Sequence, residues 1–96
     1  EHSLQDDIYY LLAQIAEKRN DFVRAAALYQ KVVDNYKEDI RADNSLFALA
    51  RLYEFRLNAP EKAQALYEKI FMDYSGSVFA VDARKRYRIL RGDKVQ

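Results

Sequence analysis

The sequence contains no cysteine, only one proline, two glycines and a single histidine. Without cysteine, the chain can form neither disulfides nor thiolate metal sites. So few glycines and prolines leave little material for the tight turns of an all-β fold. The single histidine, His2, stands at the chain end, where we interpret it as a terminal residue without a catalytic role. These absences favour a helical chain that is stabilised by apolar packing and needs no cofactor.

No charge of one sign dominates, because sixteen basic residues nearly balance fifteen acidic ones. This balance argues against a dedicated nucleic-acid binder. Residues 1–48 carry 6 basic and 9 acidic residues, whereas residues 49–96 carry 10 and 6. No run of 18 apolar residues occurs, which predicts no transmembrane segment. No signal peptide is visible and the first residue is Glu1, so we expect a processed protein or a part of a longer one.

Apolar residues recur at helical spacing in five segments, each bounded by residues that are typical of helix ends. Asp21 and Ser77 are predicted to cap the second and fifth helices, and Pro60 to occupy the first position of the fourth. Gly76 and Gly92 are predicted to supply left-handed residues after the fourth and fifth helices. The predicted helices are Ser3 to about Lys18, Asp21 to about Tyr36, Ala42 to about Arg56, Pro60 to about Tyr74, and Ser77 to about Leu90.

An internal repeat joins these helices in pairs. Residues 20–36 align with residues 58–74 at seven identities in seventeen positions, among them Tyr29 with Tyr67. The segments before them align at an offset of 37 residues, with the identical pairs Leu12 and Leu49, Ala13 and Ala50, and Glu17 and Glu54. Helix hairpins that repeat in this way cannot bury their apolar faces alone, and they therefore stack side by side.

The two hairpins resemble the tetratricopeptide repeat (TPR) family. Its first helix carries a large residue, a Leu-small pair and another large residue, and its second helix carries small, aromatic and apolar residues. The first hairpin matches at Tyr9, Leu12, Ala13, Ala16, Phe22, Ala25, Tyr29 and Val32, and the second at Leu46, Leu49, Ala50, Tyr53, Pro60, Ala63, Tyr67 and Ile70. The period exceeds the family's usual length of about 34 residues. Asn20 and Asn58 also stand where the family often has glycine.

The resemblance implies an all-α fold with two TPR-like helix hairpins and a C-terminal capping helix, five helices in a right-handed α-solenoid. We expect a single domain, residues 1–96, with repeat 1 at about 4–36, repeat 2 at about 42–74 and the capping helix at about 77–91. Asp82 and Arg86 occupy the positions at which a further hairpin would dock. Their polarity predicts that the array ends at this helix.

A finer resemblance lies near the C-terminus. The segment from Asp73 to Ala80, followed by Ala83-Arg84 and a basic helix, looks like the closing segment of TPR proteins of the bacterial cell envelope. These include the Tol-Pal coordinator and outer-membrane assembly lipoprotein families, which commonly have proline where Ser75 stands. This resemblance favours a periplasmic or cell-envelope location over a cytoplasmic one.

The TPR resemblance also implies a concave face that binds a protein or peptide partner and is lined by the first helix of each hairpin. Its family positions hold Tyr10, Gln14, Glu17, Phe47, Arg51, Glu54, Ala80, Arg84 and Arg88. The family's clamp for a C-terminal carboxylate needs asparagines where Gln14 and Arg51 stand, so that clamp is absent. Aromatic residues and arginines are typical of interface anchors. The alternative is that Tyr10 and Phe47 only pack between hairpins, with Arg51 and Arg84 as solvated charges.

An enzyme and a homo-oligomerisation element are the two other functional classes to consider. No nucleophile motif, phosphate-binding glycine loop or metal-ligand spacing occurs, so we expect no enzyme. The first helix is apolar on more than one face, through Leu4, Ile8, Tyr9, Tyr10, Leu11, Leu12 and Ile15. Such a helix requires neighbours on both sides, which upstream repeats or a second copy would supply. A homo-oligomerisation or scaffold role is therefore the alternative to peptide binding.

The fifth helix is strongly basic, with Arg84, Lys85, Arg86, Arg88 and Arg91. Basic residues complement the C-terminal end of a helix, which explains part of this pattern without a partner. The same residues could meet an acidic partner, an anionic lipid or nucleic acid. The sequence leaves these readings open.

Overall fold

The computed structural model describes the backbone of residues 2–35 and 41–92 and the side chains of residues 7–35 and 41–92. Five helices account for most of this part of the chain, which contains no strand. They are α1 (His2–Lys18), α2 (Phe22–Asn35), α3 (Ala42–Phe55), α4 (Pro60–Asp73) and α5 (Ala80–Arg91). The predicted all-α helical repeat is therefore confirmed. Among the described helices, none is both long enough and apolar enough to cross a membrane.

Each helix packs mainly against its neighbours in the chain, so the five helices form a row. Small residues allow the helices of each pair to approach closely: Ala13 and Ala25 in the first pair, and Ala50 and Ala63 in the second, are all inaccessible to solvent. The overall dimensions of 43 × 29 × 17 Å show the elongated, shallow shape of such a row.

One continuous apolar core runs along the row of helices. Its first part joins α1 and α2 to α3, and its second part joins α3 and α4 to α5. Tyr53 and Leu66 pack against both parts and connect them. Tyr29 and Tyr67, the aligned aromatic residues of the repeat, lie at its centre with 2% and 0% of their surfaces exposed. The stacking of two similar helix pairs, predicted from the repeat, is thus what the structure shows.

The left-handed residues of the α1–α2 and α3–α4 turns are asparagines rather than glycines. Asn20 has a φ of 62° and Asn58 a φ of 53°, at aligned positions of the repeat. The N–H of Asp21 donates to the carbonyl of Ala16, five residues back, as in a Schellman motif. In the second turn the N–H of Ala59 donates to Tyr53, six residues back. The extra residue that changes the repeat offset from 37 to 38 therefore lies in this turn.

The predicted helix ends are partly confirmed. Asp21 precedes α2 and accepts a 3.3 Å hydrogen bond from the N–H of Arg24, Pro60 begins α4, and Gly92 closes α5 with a φ of 94°. Gly76 is not left-handed, contrary to the prediction, because α4 already ends at Asp73. The first helix begins at His2, one residue before the predicted start at Ser3, and the predicted end of the second helix at Tyr36 lies outside the described residues.

The predicted capping of α5 by Ser77 is also wrong, because α5 begins at Ala80. The Ser77 hydroxyl instead accepts a 3.0 Å hydrogen bond from the N–H of Phe79 and donates one of 2.5 Å to Asp43. Asp43 lies in the first turn of α3. The connection between α4 and α5 is therefore anchored to the start of α3, and this anchoring positions α5 beside the central helix.

Candidate peptide-binding groove

Two glutamates of the predicted concave face are hydrogen-bonded to the buried tyrosines. Tyr29 donates to Glu17 across 2.6 Å, and Tyr67 donates to Glu54 across 2.9 Å. Burial raises the pKa of both phenols above the ordinary value, and the bonds to the carboxylates raise it further. The tyrosines therefore stay neutral and keep donating, which fixes the orientation of both carboxylates.

Glu54 has a second partner in Arg86 of α5. The Nε of Arg86 donates to Glu54 across 3.2 Å, and its terminal nitrogen also contacts the carboxylate. The Glu54 side chain is only 7% exposed, whereas Arg86 is 30% exposed. Arg86 was predicted to occupy an outer docking position at the end of the array. Its guanidinium instead faces α3 and contacts Glu54, whose part in partner binding stays a prediction.

Between α1 and α3 lies an open cavity of about 420 Å³. Its lining residues are Glu17, Arg51, Leu52, Phe55 and Arg56. Neither arginine is ion-paired with a carboxylate in the described part of the chain: Arg51 lies over Phe47 and Phe55, and Arg56 over the Phe22 ring. Glu17 is half-buried and accepts the hydrogen bond from Tyr29. The cavity thus offers two cations and one anion beside apolar surface.

Phe55 continues this surface toward α5. Its ring is 54% exposed, and the guanidinium carbons of Arg51 and Arg86 lie 5.5 Å and 5.2 Å from its centre. We define the groove as the surface formed by Glu17 of α1, Arg51 and Phe55 of α3, and Arg86 of α5. A partly exposed ring between two arginines has the composition of an interface anchor.

The comparisons with known proteins bear on the first helix pair. Residues 7–39, about a third of the chain, match the model of the tetratricopeptide repeat family. The α1–α2 pair is therefore similar to a tetratricopeptide repeat (TPR). No curated protein matches the chain. Tetratricopeptide repeats generally mediate protein–protein interactions.

Tyr10 and Phe47, predicted groove residues, make extensive contacts within this TPR-like stack. Tyr10 meets Tyr29 edge-on at 5.7 Å between ring centres, and Arg41 lies 4.9 Å over its ring. Phe47 stacks on Phe79 at 4.7 Å. Both rings are half-buried, so both contribute to helix packing, and their part in partner binding stays a prediction.

The remaining predicted residues do not all share one surface. Gln14 is exposed on α1, but Arg84 and Arg88 line a different cavity with Phe71 of α4. Successive helical residues are rotated by about 100°, so residues 84 and 88 point away from the side of α5 that carries Arg86. The structure therefore brings Glu17 and Arg51 together in one cavity. Arg86, rather than Arg84 or Arg88, is the arginine of α5 that faces α3.

Phe55, Arg56 and Arg86 were missed by sequence reasoning. Phe55 follows Arg51 by four residues, which places both on one side of α3, and this spacing was an available signal. No local signal marks Arg86, because its position in the groove depends on how α5 is rotated against α4. Among the described residues, no cluster of three histidines or carboxylates could hold a metal ion.

Proposed function

We propose that this chain is a protein–protein interaction module and that the groove binds a segment of a partner polypeptide. The family match of the first helix pair supports the class of function. The groove supplies the chemistry, because it combines an exposed aromatic ring with cationic side chains. The observation that carries the proposal is the position of Phe55, held half-exposed between Arg51 and Arg86 beside an open cavity.

The side chains of the groove indicate what the partner segment presents. Arg51 and Arg56 have planar guanidinium groups that can donate paired hydrogen bonds to a carboxylate. Phe55 offers apolar contact for a neighbouring side chain of the segment. Glu17 accepts N–H groups, either from a basic side chain or from the backbone. We therefore propose a segment in which an apolar residue is flanked by acidic residues, with a donor group next to Glu17.

A displayed library of random peptides tests the proposal on the purified chain. Peptides enriched on the wild type are expected to lose about tenfold or more in affinity for the Arg51→Glu and Phe55→Ser variants. Arg24→Glu is the control, because Arg24 is exposed on α2 outside the groove and the substitution changes the net charge equally. If no peptide is enriched, or if the selected peptides bind Arg51→Glu as well as Arg24→Glu, the proposed groove is not the binding site.

A second candidate function, self-association through α1, rests on a stripe of exposed apolar residues. The stripe consists of Ile8, Leu11, Leu12 and Ile15, which are 46%, 57%, 39% and 47% exposed. Through the repeat, Leu12 and Ile15 align with Leu49 and Leu52. Those two residues are buried where α3 packs against the first helix pair. The stripe thus has the pattern of a surface that another helix covers.

The spacing of the stripe fits a second copy of the same helix. It is symmetric about the bond between Leu11 and Leu12, with one isoleucine three residues beyond each leucine. An antiparallel pairing of two α1 helices places Ile8 against Ile15 of the second copy at both ends. Such a contact closes with two-fold symmetry, as most homodimers do.

Sedimentation velocity over a range of protein concentrations tests this second candidate. The wild type is expected to dimerise and the Leu11→Asp variant to remain monomeric. Val23→Asp is the control, because Val23 is an exposed apolar residue of α2 outside the stripe. A wild type that stays monomeric at every concentration removes this candidate without affecting the groove.

We also propose the bacterial cell envelope as the setting of the module. The support is the resemblance of the segment from Asp73 to Ala80 to the closing segment of envelope TPR proteins. In the structure this segment carries the Ser77–Asp43 hydrogen bond that anchors α5. Fractionation of cells that express the full-length protein tests this setting, and recovery from the cytosol alone would contradict it.

A further inference from the structure

We infer a second binding site, separate from the groove, at the junction of α4 and α5, and we assign it to an acidic polypeptide segment. The site is an open cavity of about 380 Å³. It is lined by Phe71 of α4 and by Arg84, Tyr87, Arg88 and Arg91 of α5. None of its lining residues is acidic, and Arg84 forms no ion pair among the described residues, so its charge favours an anionic ligand.

The two aromatic residues of this cavity contact each other, and each has an arginine over its ring. Phe71 and Tyr87 meet edge to face, with ring centres 5.3 Å apart. The guanidinium carbon of Arg84 lies 4.8 Å over the Phe71 ring, and that of Arg91 lies 5.2 Å over the Tyr87 ring. The planar guanidinium of Arg84 can pair two of its N–H donors with both oxygens of a carboxylate.

The internal repeat explains why a surface is available at this position. Phe71 aligns with Val33 of the first helix pair. Val33 is 6% exposed, because residues of α3 and α4 pack over it in the second part of the core. In the described part of the chain, α5 packs against α4 as α3 packs against α2, with Arg84 over the Phe71 ring, and no described helix follows in the place of α4. The position shared by Val33 and Phe71 is thus one at which a neighbouring chain segment packs. At Phe71 the arginines favour a segment with negative charge.

The contacts of the rings favour a polypeptide over a single-stranded nucleic acid. Proteins bind unpaired bases by stacking them on exposed aromatic faces. At this site guanidinium groups already lie over Phe71 and Tyr87. Short carboxylate side chains fit the cavity and its in-plane donors better than a stacked base does.

Fluorescence anisotropy with a dye-labelled hexaglutamate peptide tests the site on the full chain. Arg84→Glu is expected to weaken binding about tenfold or more. Lys85→Glu is the matched control, because it makes the same charge change at the adjacent exposed residue, which points about 100° away on the helix. This control variant is expected to stay within about twofold of the wild type, the change that two unit charges at the surface produce.

Four outcomes would overturn the inference. The first is that hexaglutamate does not bind the wild type, and the second is that Lys85→Glu weakens binding as much as Arg84→Glu does. The third is that labelled hexathymidine binds more tightly than the peptide in an Arg84-dependent way. Circular dichroism confirms that the Arg84→Glu variant is folded, and Arg84→Gln gives a second variant without a new negative charge. The groove variant Arg51→Glu separates the two sites, because it is expected to leave hexaglutamate binding unchanged. Loss of hexaglutamate binding in Arg51→Glu alone would assign the peptide to the groove and remove the second site.

Discussion

The hydroxyl of Tyr67 donates a 2.9 Å hydrogen bond to the carboxylate of Glu54, across the two helices of the second pair. Tyr29 and Glu17 form the same bond in the first pair, at 2.6 Å. The tyrosines align at an offset of 38 residues and the glutamates at 37, so the repeat preserves a contact between helices as well as residue types. In both pairs the bond satisfies the hydroxyl of a buried ring and connects the core to the groove.

Removing either hydroxyl is expected to destabilise the fold. Tyr67→Phe and Tyr29→Phe keep the ring but remove one hydrogen bond to a carboxylate, which costs about 1.5–3 kcal/mol for a bond to a charged group. Urea unfolding of each variant measures the change. Tyr53→Phe is the control, since no hydrogen bond of the Tyr53 hydroxyl occurs in the described residues, and its effect is expected to stay within about 0.5 kcal/mol. Equal effects in the three variants would contradict this role of the two bonds.

The same tyrosines predict a loss of stability in alkali. Burial and the neighbouring carboxylates raise the pKa of Tyr29 and Tyr67 in the folded chain above the unfolded value of about 10. Their contribution is therefore complete below about pH 10 and is lost as the pH rises above it, by up to about 1.4 kcal/mol per pH unit for each tyrosine.

Urea unfolding at a series of alkaline pH values measures this slope. The Tyr29→Phe/Tyr67→Phe variant is expected to lose stability less steeply than the wild type. Tyrosinate absorbance gives an independent readout, because two of the eight tyrosines are expected to ionise only when the chain unfolds. A wild type in which all tyrosines ionise while the chain is still folded would contradict the prediction.

Sequence reasoning succeeded where the signal is local or repeated. Asp21 and Pro60 determine helix starts through short-range chemistry, and the aligned Tyr29 and Tyr67 marked the buried core. It failed at Ser77, a good helix cap by residue type, because the hydroxyl bonds instead to Asp43, 34 residues away. A tertiary contact of this kind overrides a local preference and leaves no trace in the neighbouring sequence.

In the groove, too, residues at repeat positions were predictable, whereas residues placed by tertiary packing were not. Glu17 and Arg51 were predicted from their repeat positions, and both line the cavity. Arg84 and Arg88 were expected beside them, but the rotation of α5 is set by the packing of Ala83 and its apolar neighbours on α4. That rotation turns Arg86 toward α3. Its pairing with Glu54 spans 32 residues, and helical periodicity within α5 alone does not identify which arginine makes it.

The left-handed conformation of two asparagines predicts that alanine and glycine variants at these positions differ in stability. Asn58 has a φ of 53°, a conformation that costs about 1–2 kcal/mol for ordinary L residues and nothing for glycine. We therefore expect Asn58→Ala to be less stable than Asn58→Gly by about 1 kcal/mol, with the same order at Asn20. Thermal unfolding of the four variants measures the difference. If alanine proves as stable as glycine at both positions, the turn geometry is not what limits these sites.

The Arg86–Glu54 pair is expected to contribute to the docking of α5. Arg86→Met keeps much of the side-chain packing but leaves a nearly buried carboxylate with one donor fewer, at a cost of about 1–2 kcal/mol after allowance for the solvent exposure of Arg86. A double-mutant cycle with Glu54→Gln measures the coupling, because the neutral amide no longer needs the cation. Additive effects of the two substitutions would show that the pair is energetically inert.

Two serines in different surroundings are expected to respond differently to replacement by alanine. The Ser45 hydroxyl is completely buried in α3 and has no hydrogen-bond partner among the described residues. An unsatisfied buried hydroxyl costs about 1–3 kcal/mol, and alanine favours a helix more than serine does. Ser45→Ala is therefore expected to leave the fold equally stable or to stabilise it by about 1 kcal/mol. Ser77→Ala removes the bonds to Asp43 and Phe79, so it is expected to destabilise by about 1–2 kcal/mol. Urea unfolding compares the two variants directly, and a destabilised Ser45→Ala would reveal a partner of that hydroxyl and overturn its assignment as unsatisfied.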